Sequence, residues 1–346
     1  MADKRQHRTV ELDGDQISRL MREQGWSVED LSHKADISVA SVSKILRGQH
    51  QVYWSTAKNL QTAFKLDTID ELLPQHDAPA TSELDTIHEW RLDESLSKWI
   101  TASNHLQFRI WKLKHEHLNK YSRGKCYDLQ GMASAERERC RALLLRHAEV
   151  CTRIGRHPNI INNLTTCEAP SVDRWWVIDE WIDGMTMAEW MQDSSCSQAP
   201  HGQLLQQIAE ALNALHSHEI IRRELSPQTI LVRRETGDVV LTEFELAKLL
   251  DGSPTVSNSN WPVDPYRAPE ATSDDIRRQA DVYSWGRIAI HLLVGELPDK
   301  GQEANSVKAT RLPAAIQKLL LNCVAIPWRS RPKGFNEVLK TLNSWK

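Results

Sequence analysis

The sequence predicts two folds in one multidomain chain: an all-α N-terminal domain of five short helices, and an α+β remainder arranged as two lobes. Three observations carry this expectation. Residues 14–75 are a run of short amphipathic stretches punctuated by capping residues. The stretch PQHDAPATSE (74–83) is Pro/Ala/Ser-rich, lacks periodicity and reads as a linker. Beyond it, aromatic residues alternate with polar ones around a single long helix, and the C-terminal third is helical. A length of 346 residues suits two or three domains. With 40% hydrophobic and 26% charged residues, the composition excludes global disorder.

Composition also narrows the function. Apolar runs such as Ile288–Val294 fall far short of the ~20 residues that span a bilayer. The polar start MADKRQHRTVELDGD does not read as a secretory leader. Cys126, Cys140, Cys151, Cys167, Cys196 and Cys323 form no CxxC pair, so reduced thiols in a cytoplasmic protein are expected and no metal centre is. The formal net charge of -3 means that any nucleic-acid site has to be local.

In the N-terminal domain, Ile17, Leu20 and Met21 give the first helix an apolar face, ended by Gly25. Ser27 caps the second helix, with Asp30 as its capping-box partner, and Ala35-Asp36 end it. Ser38 opens a third helix whose Val42 and Ile45 face inward, closed by Gly48. A fourth helix follows Ser55, and TIDELL (68–73) supplies a fifth. Two short helices joined by a tight turn, the second polar on its outer face, have helix-turn-helix spacing. From Ile37 to Leu66 there is no Asp or Glu, while Lys44, Arg47, Lys58 and Lys65 are present. A surface that approaches phosphates requires that bias.

The stretch GWSVEDLSHKADISVASVSKILRG, followed by TAKNLQTAFKL and IDELL, resembles the Cro/phage-repressor family of bacterial DNA-binding domains. That resemblance implies that Val39, Ala40, Ser41 and Lys44 meet base edges in the major groove of double-stranded DNA. Arg47, Gln49, His50 and Gln51 would lie near the phosphate backbone. It further implies a homodimer on a pseudo-palindromic operator.

In the remainder, residues 88–103 and 105–117 read as strands, 135–154 as a helix, and 174–183 as a buried strand. A long helix over 202–218 precedes two short strands, 229–234 and 239–244. The motifs RHPNIINNL (156–164), VIDEWIDGMTM (177–187), IIRRELSPQTILV (220–232), LTEFELAK (241–248), PYRAPE (265–270), DVYSWG (281–286) and CVAIPWRSRP (323–332) stand in a characteristic order. In that order and spacing they resemble a eukaryotic-like protein kinase. The expected organisation is therefore a DNA-binding domain over 1–75, a linker over 76–85, an N-lobe over 86–183 and a C-lobe over 184–346.

The resemblance also implies where phosphotransfer chemistry should sit, and here the sequence departs from the pattern. No glycine lies between Gly48 and Gly124, so the glycine-rich cover over the phosphates is missing. Lys112, in RIWK, takes the strand-lysine position with Lys114 as an alternative, and Ile110 stands where a small residue admits adenine. His147 falls where the helix glutamate should be, and Glu149 lies two residues away, about 200° around the helix. The catalytic loop reads RREL-SPQT, with Glu224 as the base, Ser226 as the phosphate-neutralising lysine and Thr229 as the metal-binding asparagine. In EFE, Glu243 replaces the metal-ligating aspartate and Glu245 the glycine. Asp179, Glu180 and Trp181 would form the hinge beside the nucleotide pocket. Arg223, Asp281, Glu270 and Arg331 keep the family's structural roles, and Phe244 its packing role.

The expected function is a DNA-binding transcriptional regulator whose pseudokinase half senses a ligand or protein partner, or dimerises. No cofactor is firmly implied; ATP with Mg stays open, with Glu243 the one candidate metal ligand. The alternatives are an active Ser/Thr kinase targeted to DNA, with Ser253, Thr255, Ser257 and Ser259 as acceptors, and a DNA-independent adaptor in a toxin–antitoxin or phage-defence system.

Overall fold

A computed structural model describes residues 9–46, 51–66, 69–72, 86–101, 106–130, 132, 134–169, 173–193, 201–250, 264–271 and 276–345. The chain divides into two compact units, 1–87 with 129–137, and 88–128 with 138–346. The linker expected at 76–85 lies outside the described residues.

The first unit holds β1 (Thr9–Glu11), α1 (Gly14–Glu23), α2 (Val28–Ala35), α3 (Val39–Leu46), β2 (Gln51–Tyr53) and α4 (Trp54–Phe64). Asp13 caps α1 by accepting the N–H groups of Asp15 and Gln16. Ser27 and Asp30 form the capping box of α2, and Asp36 ends that helix at φ 49°. The left-handed Asp36 turns the chain into α3, whose Val42 and Ile45 join Ile17, Met21, Leu31, Leu60 and Phe64 in one core. Trp26 stacks on Phe64 at 5.3 Å. Two details differ from expectation. Within TIDELL the described residues, Ile69–Leu72, form a 3-10 turn where an α-helix was expected. Residues 9–11 pair antiparallel with 51–53, a contact between distant segments that local periodicity does not signal.

The second sheet-rich region contains β3 (Thr86–Ile87), β4 (Trp90–Ser95), β5 (Ile100–Thr101), β6 (Gln107–His115), β7 (Tyr121–Asp128), β8 (Asn163–Ala169) and β9 (Arg174–Glu180), with α5 (Ser134–Ile154) between β7 and β8. The strand order is β3-β4-β6-β7-β9-β8, with β5 against β6. Strands β7 and β8 were not anticipated from the sequence. Both carry polar side chains where an apolar alternation would have marked them, and β7 buries Ser122, Lys125 and Cys126.

The helical lobe follows: β10 (Gly184–Thr186), α6 (Met187–Trp190), α7 (His201–Ser217), β11 (Ile220–Ile221), β12 (Ile230–Arg233), β13 (Val239–Leu241), β14 (Lys248–Leu249), α8 (Gln279–Val294), α9 (Glu303–Lys308), α10 (Ala314–Cys323) and α11 (Phe335–Asn343). Helices α7 and α8 form its centre, where the Trp285 indole N–H donates to the Leu205 carbonyl at 3.1 Å. None of the described helices is long and apolar enough to cross a membrane.

Candidate functional site

The antiparallel register sets the interlobe face of the sheet. Ile110 opposes Lys125, Lys112 opposes Arg123, and Arg123 opposes Asp179, so these residues project on one side. The chain crossing beneath them is Thr242–Glu245, which follows β13. Glu243 is held at φ 62°, a left-handed conformation that a non-glycine residue adopts at a cost.

Lys125, not Lys112, carries the strand lysine's geometry. Its Nζ lies 3.3 Å from Glu243 Oε2 and 3.3 Å from Glu245 Oε1, and its side chain is 4% exposed. Lys112 sits one strand away, over the rings of Tyr121 (4.4 Å) and Trp181 (5.1 Å). The sequence assignment is corrected accordingly. An unanticipated strand, β7, lies between β6 and α5, and it carries the lysine into the cleft. The small-residue position two before that lysine is then Arg123, not Ile110. Ile110 donates its backbone N–H to the Ser97 hydroxyl at 2.9 Å.

Arg123 Nη2 donates to Glu243 Oε1 at 2.9 Å, and the Tyr127 hydroxyl donates to Glu245 Oε1. Two cations and two carboxylates thus close on each other inside the cleft. Burial opposes charge on Glu243 and Glu245, but Lys125 outweighs it, helped by Arg123 at Glu243 and the Tyr127 hydroxyl at Glu245; both carboxyls stay below the ordinary range. Burial and the Glu245 charge push the Tyr127 phenol well above its usual value. Glu245 therefore does not stand free beside a phosphate site, as its position in EFE suggested. It supplies the lysine's partner from after β13 instead of from α5.

On α5, Glu149 pairs with Arg153 at 2.8 Å and with Arg146 at 3.5 Å. Glu149 thus does not take over the helix glutamate's role, for the reason the helical offset gives. His147 is 1% exposed and bonds Asp179 Oδ1 through Nε2 at 2.9 Å. Asp179 also accepts from the Asn163 amide at 2.9 Å. Burial disfavours a charged His147 ring, while Asp179 draws its pKa well up. Yet Nδ1 accepts the Phe244 backbone N–H at 3.1 Å, a bond that a proton on Nδ1 would destroy. We read the ring as neutral, with its proton on Nε2.

The catalytic loop is similarly self-satisfied. Glu224 Oε1 accepts from Arg267 Nη2 at 2.7 Å, and Arg267 is 7% exposed. The Thr229 hydroxyl donates to the Ser226 carbonyl at 3.1 Å, within its own turn. Asp281 accepts the backbone N–H groups of Arg222 (2.8 Å) and Arg223 (2.9 Å), while Arg222 donates to the Thr242 carbonyl at 2.7 Å and lies over the Phe244 ring. Arg331 forks onto Glu270, with Nη2 3.0 Å from Oε2. In the hinge, Glu180 Oε1 accepts the Asn162 N–H at 3.1 Å.

The residues present do not fit a metal–nucleotide complex. Glu243, the one candidate ligand, is spent on Arg123 and Lys125, and a guanidinium stands at the position that would admit adenine. Among the described residues no cluster of three His, Cys, Asp or Glu is placed to hold a metal ion.

On the N-terminal unit, Val39 is 44% exposed, Ala40 and Lys44 are exposed, and Ser41 is half-buried. The Ser38 hydroxyl accepts the Ser41 N–H at 3.1 Å and lies 2.8 Å from the Ser41 hydroxyl, opening α3. Gln51 is in β2. Arg47, Gln49 and His50 lie outside the described residues, as do Ser253, Thr255, Ser257 and Ser259.

Residues 110–344 match the protein kinase domain family. The chain belongs to that family. Residues 16–74 match the Cro/C1-type HTH DNA-binding domain. Among curated proteins, the chain is 30% identical over 167 residues to the probable serine/threonine-protein kinase PknB of Lactococcus lactis, covering 47% of this chain and 26% of that protein. It is 26% identical over 162 residues to the serine/threonine-protein kinase PrkC of Bacillus subtilis, covering 46% and 24% respectively. A cyclin-dependent kinase-like 2 from Rattus norvegicus is 29% identical over 150 residues, covering 41% and 28%. The chain thus spans about a quarter of the length of the curated relatives it matches.

Proposed function

We propose that this protein is a DNA-binding transcriptional regulator whose kinase-family half is a pseudokinase, serving as a dimerising or sensing module and not as a phosphotransferase. One observation carries the proposal: the carboxylates at the base and metal-ligand positions are both paired internally, Glu243 with Arg123 and Lys125 and Glu224 with Arg267. A general base or metal ligand has to be free to accept a proton or a cation. The exposed, carboxylate-free face of α3 supports DNA contact, and two copies on a pseudo-palindromic operator would follow from that docking mode.

Two assays test the reading together. Purified protein should retard duplex DNA from upstream of its own gene, and Lys44→Ala should reduce the slope of log affinity against log salt by about 1. Incubation with ATP and Mg²⁺ should add no mass to the protein or to a generic acceptor. A phosphate adduct would instead favour an atypical kinase, for which retention of carboxylates at 224 and 243 is the supporting observation. Failure to retard any duplex would favour a DNA-independent adaptor.

A further inference from the structure

A cavity of about 310 Å³ opens in the helical lobe, outside the cleft described above. It is lined from three directions: by His216 near the end of α7, by Arg278 immediately before α8, and by Lys333 to Glu337 at the start of α11. Both flanking helices begin without a side-chain cap. Gly334 stands at the cap position of the nine-residue α11 and has no side chain to offer its amides. Arg278 and Lys333 add two positive charges to that end, where the helix dipole already favours an anion.

The second observation is independent of the helix ends. His216 is 4% exposed and lines the cavity, and its Nε2 is bonded to Asp281 Oδ2 at 2.8 Å. Its other ring nitrogen, Nδ1, is buried and has no hydrogen-bond partner among the described residues. A buried polar atom left without a partner is costly, and one that borders a basic cavity is positioned to meet a ligand. The Glu337 carboxylate, also at the rim, accepts the Lys333 backbone N–H at 3.1 Å.

We propose that this cavity binds a small phosphate-bearing molecule, its phosphoryl group seated between Arg278 and Lys333 at the start of α11, with one oxygen at His216 Nδ1. Asp281 can only accept, so Nε2 holds a proton already. A phosphoryl group arriving with one P–OH passes that proton to Nδ1, so the ring becomes an imidazolium bridging the dianionic ligand and Asp281. Asp281 in turn holds the backbone of Arg222 and Arg223. Three hydrogen bonds in series would then link the ligand to the catalytic loop, an input to a module that needs no phosphotransfer of its own.

The test is calorimetric titration of the full chain with inorganic phosphate and, separately, with phosphoethanolamine, with acetate as the carboxylate control. Saturable binding of a phosphate probe, weakened at least tenfold in Arg278→Ala/Lys333→Ala while the melting temperature holds, is the expected result. The ratio of the two phosphate affinities tells bare phosphate from a monoester. Nitrogen NMR gives a second readout: the His216 Nδ1 resonance should move to its protonated position on binding. Unchanged affinity in the double variant, an unmoved His216 resonance, or no saturable binding at tens of millimolar would overturn the proposal. None of these outcomes bears on whether the interlobe cleft binds nucleotide.

Discussion

Replacing Lys125 by methionine should destabilise the kinase-family unit severely, whereas the same change at Lys112 should hardly register. Lys125 is 4% exposed and bridges two carboxylates at 3.3 Å each, one of them, Glu245, only 7% exposed. After Lys125→Met, Glu243 keeps Arg123 at 2.9 Å, but Glu245 loses its adjacent cation and keeps only neutral donors, the Tyr127 hydroxyl and its own backbone N–H. Breaking a buried pair from one side costs about 3–5 kcal/mol, because the remaining charge is uncompensated. Removing both partners, in Lys125→Met/Glu245→Leu, should recover a large part of that loss. Lys112 makes cation–π contacts over Tyr121 and Trp181 at a half-buried site, worth about 0.5–1 kcal/mol. Urea denaturation followed by tryptophan fluorescence measures all three variants. Trp175 and Trp176 lie in β9, beside β7, and report on this unit. A Lys125→Met cost below about 1 kcal/mol, or a larger cost at Lys112, would refute the assignment of the cleft lysine.

The same network fixes an acid limit. Glu243 and Glu245 titrate below their ordinary value of 4.5 when folded, so their contribution is complete above that pH and fades as pH falls beneath it. The parent unit should lose stability below about pH 4.5, and Lys125→Met should show a shallower acid slope in the same urea series. At Gly184, a Cβ would meet the Val232 carbonyl oxygen at 2.1 Å across the β10–β12 pair. Because backbone cannot step aside as a side-chain tip can, Gly184→Ala should cost about 1–3 kcal/mol or more by the same assay.

Much of the architecture was legible because local chemistry and tertiary structure agree. Ser27, Asp30 and Asp36 cap and end α2 as the sequence suggested, and Val42 and Ile45 fill the core of the N-terminal unit. Asp281 and the Glu270–Arg331 pair could be placed because they stand inside contiguous motifs. Lys125 could not be placed that way. Its strand, YSRGKCYD, shows no apolar alternation, since its inward positions hold an arginine and a lysine whose partners lie about 120 residues later. The signal available was topological: the strand lysine belongs on the strand directly before the long helix, and residues 121–128 fill that interval. Similarly, nothing local links Glu224 to Arg267, or His147 to Asp179, and those pairs decide what the cleft can do.

The most direct test of the account is the melting temperature of the protein with excess ATP in Mg²⁺, in Mn²⁺ and in EDTA. If Arg123 and Lys125 close the cleft on Glu243 and Glu245, the three melts should coincide with the nucleotide-free one. A metal-dependent rise, equivalent to about 2.7 kcal/mol at a hundredfold excess over the dissociation constant, would contradict it. That result would mean that the ion pairs open to admit a nucleotide.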